Sequence, residues 1–186
     1  KVENGYSKFF NQWHQQDLRD MIRAFRNSPS VVMWSIGNEI LEQSDKINGE
    51  RIANELAMIC KQEDPTRPTT AGFNYYPAPI KNGLASAIDL VGWNYKPRKY
   101  AEITERHPNW VIYGSETSST VSSRGVYHLP VEKYELHESL QITSYDIIGP
   151  PWAYPPDIEF ESLENNPNNL GEFIWTGFDY LGEPTP

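Results

Sequence analysis

Residues 30–37 read Ser30-Val31-Val32-Met33-Trp34-Ser35-Ile36-Gly37. The run is apolar almost throughout and β-branched at Val31, Val32 and Ile36, which is the pattern of a strand buried on both faces, as in a parallel sheet. Outward from it the chain alternates. Upstream, from about Ser7 to Asn27, Phe10, Trp13, His14, Leu18, Met21, Ile22 and Phe25 recur at three- and four-residue intervals and predict a helix with one apolar stripe. Asn27-Ser28-Pro29 stops it, because the residue before a proline is pushed out of the helical region. Downstream, Gly49 to Glu63 returns to helical period with Ile52, Leu56, Ile59 and Cys60 on one side, and Asp64-Pro65-Thr66-Arg67-Pro68 breaks it. Thr69 to Phe73, Ile88 to Trp93, Trp110 to Gly114 and Glu172 to Thr176 are further strand candidates. Helices are expected over Lys99 to Arg106, Val131 to Thr143 and Asp157 to Glu164, with a rigid loop over Gly149 to Pro156.

Strand, helix, strand, helix in this order means an α/β fold of parallel strands with crossover helices. Five strands are legible, and the chain opens in a helix with no strand before it. A complete (β/α)8 barrel takes ~250 residues, about 31 per unit. The 186 residues therefore read as a partial TIM barrel, strands four to eight with their helices. A small doubly wound sheet is the alternative, disfavoured because no Gly-rich phosphate loop follows any strand.

Acidic residues outnumber basic ones 25 to 16, a net charge of −9. That balance argues against nucleic acid or an anionic membrane as the main partner, since either needs a basic patch. No apolar run approaches the ~20 residues that span a bilayer, and no targeting leader is visible, so the compartment is left open. The single cysteine excludes an intrachain disulfide and a Cys-based metal cluster. His14, His107, His128 and His137 are scattered without metal-ligand spacing. Six Trp, eleven Tyr and seven Phe suit either a sugar-binding surface or an aromatic core.

In such barrels chemistry collects at the C-terminal ends of strands. Those ends read Gly37-Asn38-Glu39, Trp93-Asn94-Tyr95, Gly114-Ser115-Glu116 and Trp175. Two glutamates thus end two strands that lie two to three units apart. Paired carboxylates across a site are what glycoside hydrolysis requires: one protonates the leaving oxygen, the other attacks or activates water. A lone Glu after a strand more often caps the next helix, and the argument rests on the pair. Trp34 and Trp93, inside strands, are expected in the core. Trp152 either lines an outer subsite or packs within its loop. Arg67 is expected to pair with Asp64.

Pro29 to Glu39 resembles the acid/base segment of family 2 glycoside hydrolases, and Val111-Ile112-Tyr113-Gly114-Ser115-Glu116-Thr117 resembles that family's nucleophile segment. Ser122-Ser123-Arg124-Gly125-Val126-Tyr127 and Gly171 to Pro184 look like its β-galactosidase branch. One departure stands out: Phe25-Arg26-Asn27-Ser28 occupies the place where the family usually carries Asp-Arg-Asn-His. It precedes the strand, at the end of the barrel associated with stability. The resemblance implies a retaining exo-β-galactosidase acting on a carbohydrate. Glu39 is then the general acid/base, which must carry a proton near neutral pH, and Glu116 the ionised nucleophile. Asn38 contacts the sugar 2-hydroxyl, Tyr95 donates to the nucleophile, and Trp175 forms a wall of the sugar subsite.

The same resemblance implies that residues 1–186 are the C-terminal portion of a catalytic barrel, with its first three strands and any flanking β-sandwich domains lying outside this chain. The longer parent could then be periplasmic or secreted, and could form a homo-oligomer. No cofactor is expected. Magnesium accompanies some family members, but its ligands come partly from strand three, so no metal is assigned to residues of this chain. A β-glucuronidase of the same family, reading the sugar carboxylate beyond the last strand, is the nearest alternative. An inert fragment or sugar-binding remnant is another.

Overall fold

The computed structural model describes residues 5–129 and 137–178. Five strands, β1 (Trp34–Asn38), β2 (Thr69–Phe73), β3 (Leu90–Asn94), β4 (Val111–Ser118) and β5 (Asn169–Trp175), form a sheet in the order β1-β2-β3-β4-β5. The helices among the described residues are α1 (Ser7–Phe25), α2 (Gly49–Glu63), α3 (Ala78–Lys81), α4 (Tyr100–Arg106) and α5 (Pro156–Glu164). Strands and helices alternate, as the sequence pattern requires of a partial (β/α)8 barrel. β1 and β2 run parallel with Trp34 opposite Thr69, and β2 and β3 with Thr70 opposite Leu90. By packing, the chain divides into two compact units. The first runs up to Trp93 and includes Trp110–Ile112; the second comprises Asn94–Asn109 and the residues from Tyr113 onward.

In the first unit β2 is buried at all five positions. Its Thr69 is fixed by Asp89, whose carboxylate accepts from the Thr69 amide at 2.8 Å and the hydroxyl at 2.9 Å. Ile22 of α1, Trp34 of β1 and Cys60 of α2 form a buried cluster, with Leu18, Val31 and Ile36 packed against it. Burial pushes the Cys60 thiol up to about 11, because a thiolate there would lose its water. Trp93 is fully buried, edge-on to Phe73 and Tyr76 with ring centroids 5.9 and 5.6 Å away. Trp34 and Trp93 are thus core residues. The stripe expected on α1 is only partly covered: Ile22 is buried, whereas Trp13, Met21 and Phe25 are exposed.

The strand expected at residues 30–37 is shorter and less buried than its composition suggests. Pairing begins only at Trp34, and Ser35 and Asn38 are exposed. The reason is Arg67. Its guanidinium donates to the carbonyls of Arg26 (2.8 Å), Ser28 (3.0 Å) and Val31 (2.6 Å), so the Val31 carbonyl is taken by a side chain rather than by the β-ladder. A fourth bond, at 2.6 Å, goes to Asp64, the pairing expected from the turn. Asp64 also accepts from the Trp34 indole at 3.0 Å and from both the amide and the hydroxyl of Thr66. Arg67 therefore ties the α1–β1 connection to the α2–β2 turn.

In the second unit Tyr100 and Ile103 of α4 are fully buried, and Tyr113 of β4 packs edge-on against Phe173 of β5 at 5.8 Å. β4 continues four residues beyond the expected end at Gly114, so Glu116 lies within the strand rather than past it. The helix expected over Val131 to Thr143 is absent over 137–143, where a turn closes from His137 to Leu140. The remainder of that expectation, residues 131–136, falls outside the described residues.

The forked guanidinium serves four acceptors that a lysine ammonium cannot span together. Arg67→Lys is therefore expected to lower the melting temperature of the protein carrying this chain by about 5 °C or more, measured by calorimetry. The hydrogen bonds from Thr66, together with Arg67, hold the Asp64 carboxyl well below the usual carboxylate range. Its stabilising contribution is present above the ordinary aspartate pKa of about 4 and is lost as the pH falls below it.

Candidate active site

Two strand ends share one backbone device. β1 ends in Asn38 and is followed by Glu39 at φ 49°; β3 ends in Asn94 and is followed by Tyr95 at φ 56°. Residues with side chains rarely adopt this left-handed conformation, and it clusters at functional sites. In the first unit the Glu39 amide still donates to the Gly72 carbonyl at 3.0 Å while its backbone turns away. Gly37 is required two residues earlier, since a Cβ there would meet the Ile40 Cγ2 at 2.8 Å. Asn38 is exposed and Glu39 half-buried.

In the second unit Tyr95 is bound to Glu116 twice. The Tyr95 amide donates to the Glu116 carbonyl at 2.9 Å, and the Tyr95 hydroxyl donates to Glu116 Oε1 at 2.6 Å. The second bond is the contact expected from the sequence. A phenol aimed at a carboxylate stabilises its anionic form. One residue back on each side, the Ser115 hydroxyl donates to the Asn94 Oδ1 at 2.5 Å, and Asn94 is fully buried. Trp175 is the last residue of β5 and is 44 % exposed, a surface position rather than a core one.

Beside β4 lie two carboxyl groups that the sequence reading missed. Glu172 of β5 accepts from the Tyr100 hydroxyl at 3.2 Å and from the Asn169 amide group at 3.1 Å. Its Oε2 occupies the space over Gly114, where an added Cβ would lie 1.6 Å away. Glu159 of α5 is fully buried. One of its oxygens accepts from the Ser118 amide at 3.0 Å, and the other has no hydrogen-bond partner among the described residues. Burial is the main cause that raises both acids, and Glu172 raises Glu159 further; Glu159 reaches about 7. The Ser118 amide and the Lys96 charge oppose that rise. Burial and the two nearby acids likewise raise the Tyr100 hydroxyl, keeping it a donor. Nothing in the sequence flagged Glu159: in the first turn of a helix an acid reads as a partner of the helix dipole. Glu172 had one legible sign, a glycine in the preceding strand that must leave room for something.

No group of three His, Cys, Asp or Glu among the described residues is arranged to hold a metal ion. His128 instead stacks on His137 with centroids 4.0 Å apart. No helix among the described residues is long and apolar enough to cross a membrane.

Strands alternating with helices, with Glu39 and Tyr95 on positive-φ turns just past two of them, define a segment of an α/β barrel, and comparison with known proteins specifies it. Residues 4–141 match the family described as "Glycosyl hydrolases family 2, TIM barrel domain", and the chain belongs to that family. It is similar over its whole length to beta-galactosidase BoGH2A of Bacteroides ovatus, at 30% identity, spanning 27% of that protein. A beta-glucuronidase of Bacteroides fragilis is 29% identical over 92% of the chain, which spans 24% of that relative. Among solved structures, a family 2 member from Bacteroides cellulosilyticus superposes with a TM-score of 0.67 at 31% identity, covering 94% of this chain and 19% of that one. The chain thus spans about a quarter of these curated relatives.

Two variants test the buried acids. Gly114→Ala places a methyl where the Glu172 carboxylate sits and is expected to destabilise the strand, seen as faster amide exchange across Val111–Ser118 by mass spectrometry. Glu159, with its folded pKa raised above the unfolded value, contributes most stability below about 4.5 and loses it as the pH rises through about 7. Exchange in the same segment, corrected for intrinsic rates, should therefore accelerate between pH 5 and 8, an interval of about three units. Glu159→Gln keeps the acceptor for Ser118 and should flatten that rise.

Proposed function

We propose that the protein carrying this chain is a retaining exo-β-glycosidase that releases terminal β-galactose, and that residues 1–186 are the C-terminal portion of its catalytic barrel. The observation that carries the reading is the 2.6 Å bond from the Tyr95 hydroxyl to Glu116. It holds one carboxylate oxygen in a fixed, anion-stabilising contact, which is what a nucleophile needs. The galactoside preference is supported by similarity to the B. ovatus beta-galactosidase across the whole chain. Glucuronate is the competing sugar, since other relatives are beta-glucuronidases.

In this reading Glu116 attacks the anomeric carbon while Glu39 gives its proton to the departing glycosidic oxygen, leaving a covalent glycosyl ester on Glu116. Glu39, now ionised, takes a proton from water. The resulting hydroxide displaces Glu116 from the opposite face, so the configuration is retained. This geometry calls for carboxyl groups ~5–5.5 Å apart. Tyr95 supports Glu116 in the charged form both before attack and as it leaves. Asn38 holds the sugar 2-hydroxyl, a contact that strengthens in the transition state, and Trp175 walls the sugar subsite.

Nitrophenyl β-galactoside and β-glucuronide assayed side by side on the full-length protein decide the sugar; faster glucuronide turnover overturns the galactoside reading. Glu116→Gln should reduce turnover of every substrate to background. Glu39→Gln should cost about 10²–10⁴-fold on unactivated glycosides and far less on nitrophenyl substrates, whose leaving groups need no proton. Azide should restore part of its deglycosylation. Tyr95→Phe keeps the ring and removes one donor; a loss of about 10²-fold in kcat is expected, with an unchanged melting temperature. Equal losses on activated and unactivated substrates for both glutamate variants would contradict the division of roles.

A further inference from the structure

Beyond β3 the chain runs Tyr95-Lys96-Pro97-Arg98-Lys99, and the last three residues form a short 3₁₀ turn. Together with Trp152 and Tyr154 from the proline-rich loop, Tyr95, Lys96, Arg98 and Lys99 line a cavity of about 390 Å³ in the second unit. Two features set this cavity apart. Three of its six lining residues are cations and none is a carboxylate, in a chain whose net charge is −9. Its other wall is aromatic: Trp152 is 41 % exposed, and the Arg98 guanidinium lies 5.2 Å from the centre of the Tyr154 ring.

The three cations are not equivalent. Lys99 is paired with Glu102 at 3.0 Å, which offsets its charge. The Lys96 ammonium donates to the carbonyls of Asn94 and Tyr95 at 3.3 Å each and also acts on Glu159. Arg98 makes no ion pair among the described residues. Its guanidinium lies over the Tyr154 ring at 5.2 Å, and a guanidinium offers N–H groups for a planar, two-point contact with an anion. A volume of this size takes one ring, and aromatic walls beside polar groups suit a sugar or an aryl ring.

Its position indicates which part of a substrate it would hold. Tyr95 lines the cavity and donates to Glu116, but Glu116 itself does not line it. The reacting ring must bring its anomeric carbon to about 3–3.5 Å from the nucleophile. The ring that enters this cavity is then the neighbouring one, which in an exo-acting enzyme is the leaving group. We infer that the cavity is a subsite for a leaving group bearing a carboxylate or sulfate, with Arg98 as the anion contact and Trp152 as the stacking wall. The inference rests on the glycosidase reading above but not on the identity of the sugar released.

The test uses the full-length protein and two coumarins, 7-hydroxycoumarin-3-carboxylate and neutral 4-methylumbelliferone, whose binding is followed by fluorescence titration. The carboxylated coumarin is expected to bind about tenfold more tightly. Arg98→Gln should abolish that preference and Arg98→Lys retain part of it, while Trp152→Ala should weaken both ligands. High salt should compress the preference, because the site is open to solvent. With the matching umbelliferyl glycosides, the carboxylated-to-neutral ratio of kcat/KM should fall about tenfold in Arg98→Gln, mainly through KM. Equal binding of the two coumarins by the unaltered protein, or a preference that survives Arg98→Gln, overturns the subsite. Sodium sulfate that displaces the carboxylated coumarin at equal concentration would also overturn it, by making this a site for free anions rather than ring-bearing ones. Hydrolysis of glucuronides in place of galactosides would refute the sugar assignment and leave the binding comparison intact.

Discussion

Parallel pairing is the constraint from which the functional geometry follows. A parallel strand cannot be joined to its neighbour by a tight hairpin; the chain must leave at one end and return through a crossover. In the stretch from β1 through β3 this obliges the backbone to turn away while the last ladder bonds are still being made. Glu39 does so with its amide on Gly72, and Tyr95 does so with its amide on Glu116. Both turns are left-handed at residues that carry side chains. A glycine would take that conformation at lower cost. Retention of a glutamate and a tyrosine at these points is an observed strain whose compensation is sought in function rather than in stability.

The second unit packs two acids against β4. Glu172 fills the space over Gly114, Glu159 caps the amide of Ser118, and Tyr100 donates to Glu172. Polar groups brought out of water are costly unless they are satisfied, and here burial keeps Glu159 and Glu172 inclined towards their neutral forms. Their oxygens nevertheless accept hydrogen bonds, Glu159 from the Ser118 amide and Glu172 from Tyr100 and Asn169.

Much of the fold was legible before any coordinates. α2 and β2 have the bounds that periodicity gave them, because Asp64-Pro65 and Pro68 leave little freedom at their junction. The places that escaped were decided by long-range contacts. Residues 31–33 have strand composition, yet Arg67, thirty-odd positions away, takes their carbonyl. β4 runs on through Glu116, whose carbonyl accepts from the Tyr95 amide, a contact no local signal announces. Of the candidate site, Glu39, Glu116 and Tyr95 were singled out because chemistry collects at strand ends in this architecture, and the Tyr95–Glu116 contact is present as expected. Glu159 was not, since its role depends on what the helix packs against. Arg98 was not singled out either, because a lone arginine in a basic turn reads as a solvated surface until Tyr154 is seen beneath it.

The cysteine in the first core has a use unconnected with catalysis. Cys60 is wholly buried between α1, α2 and β1, and its thiol is held in the protonated form well above neutral pH. Only the thiolate attacks electrophiles at an appreciable rate. Chemical labelling of this sulfur therefore has to wait for the helices to part, and the labelling rate becomes a clock for the opening of that core. With no other cysteine in the chain, the signal from this segment comes from a single atom, a built-in gauge of how often its hydrophobic centre meets water.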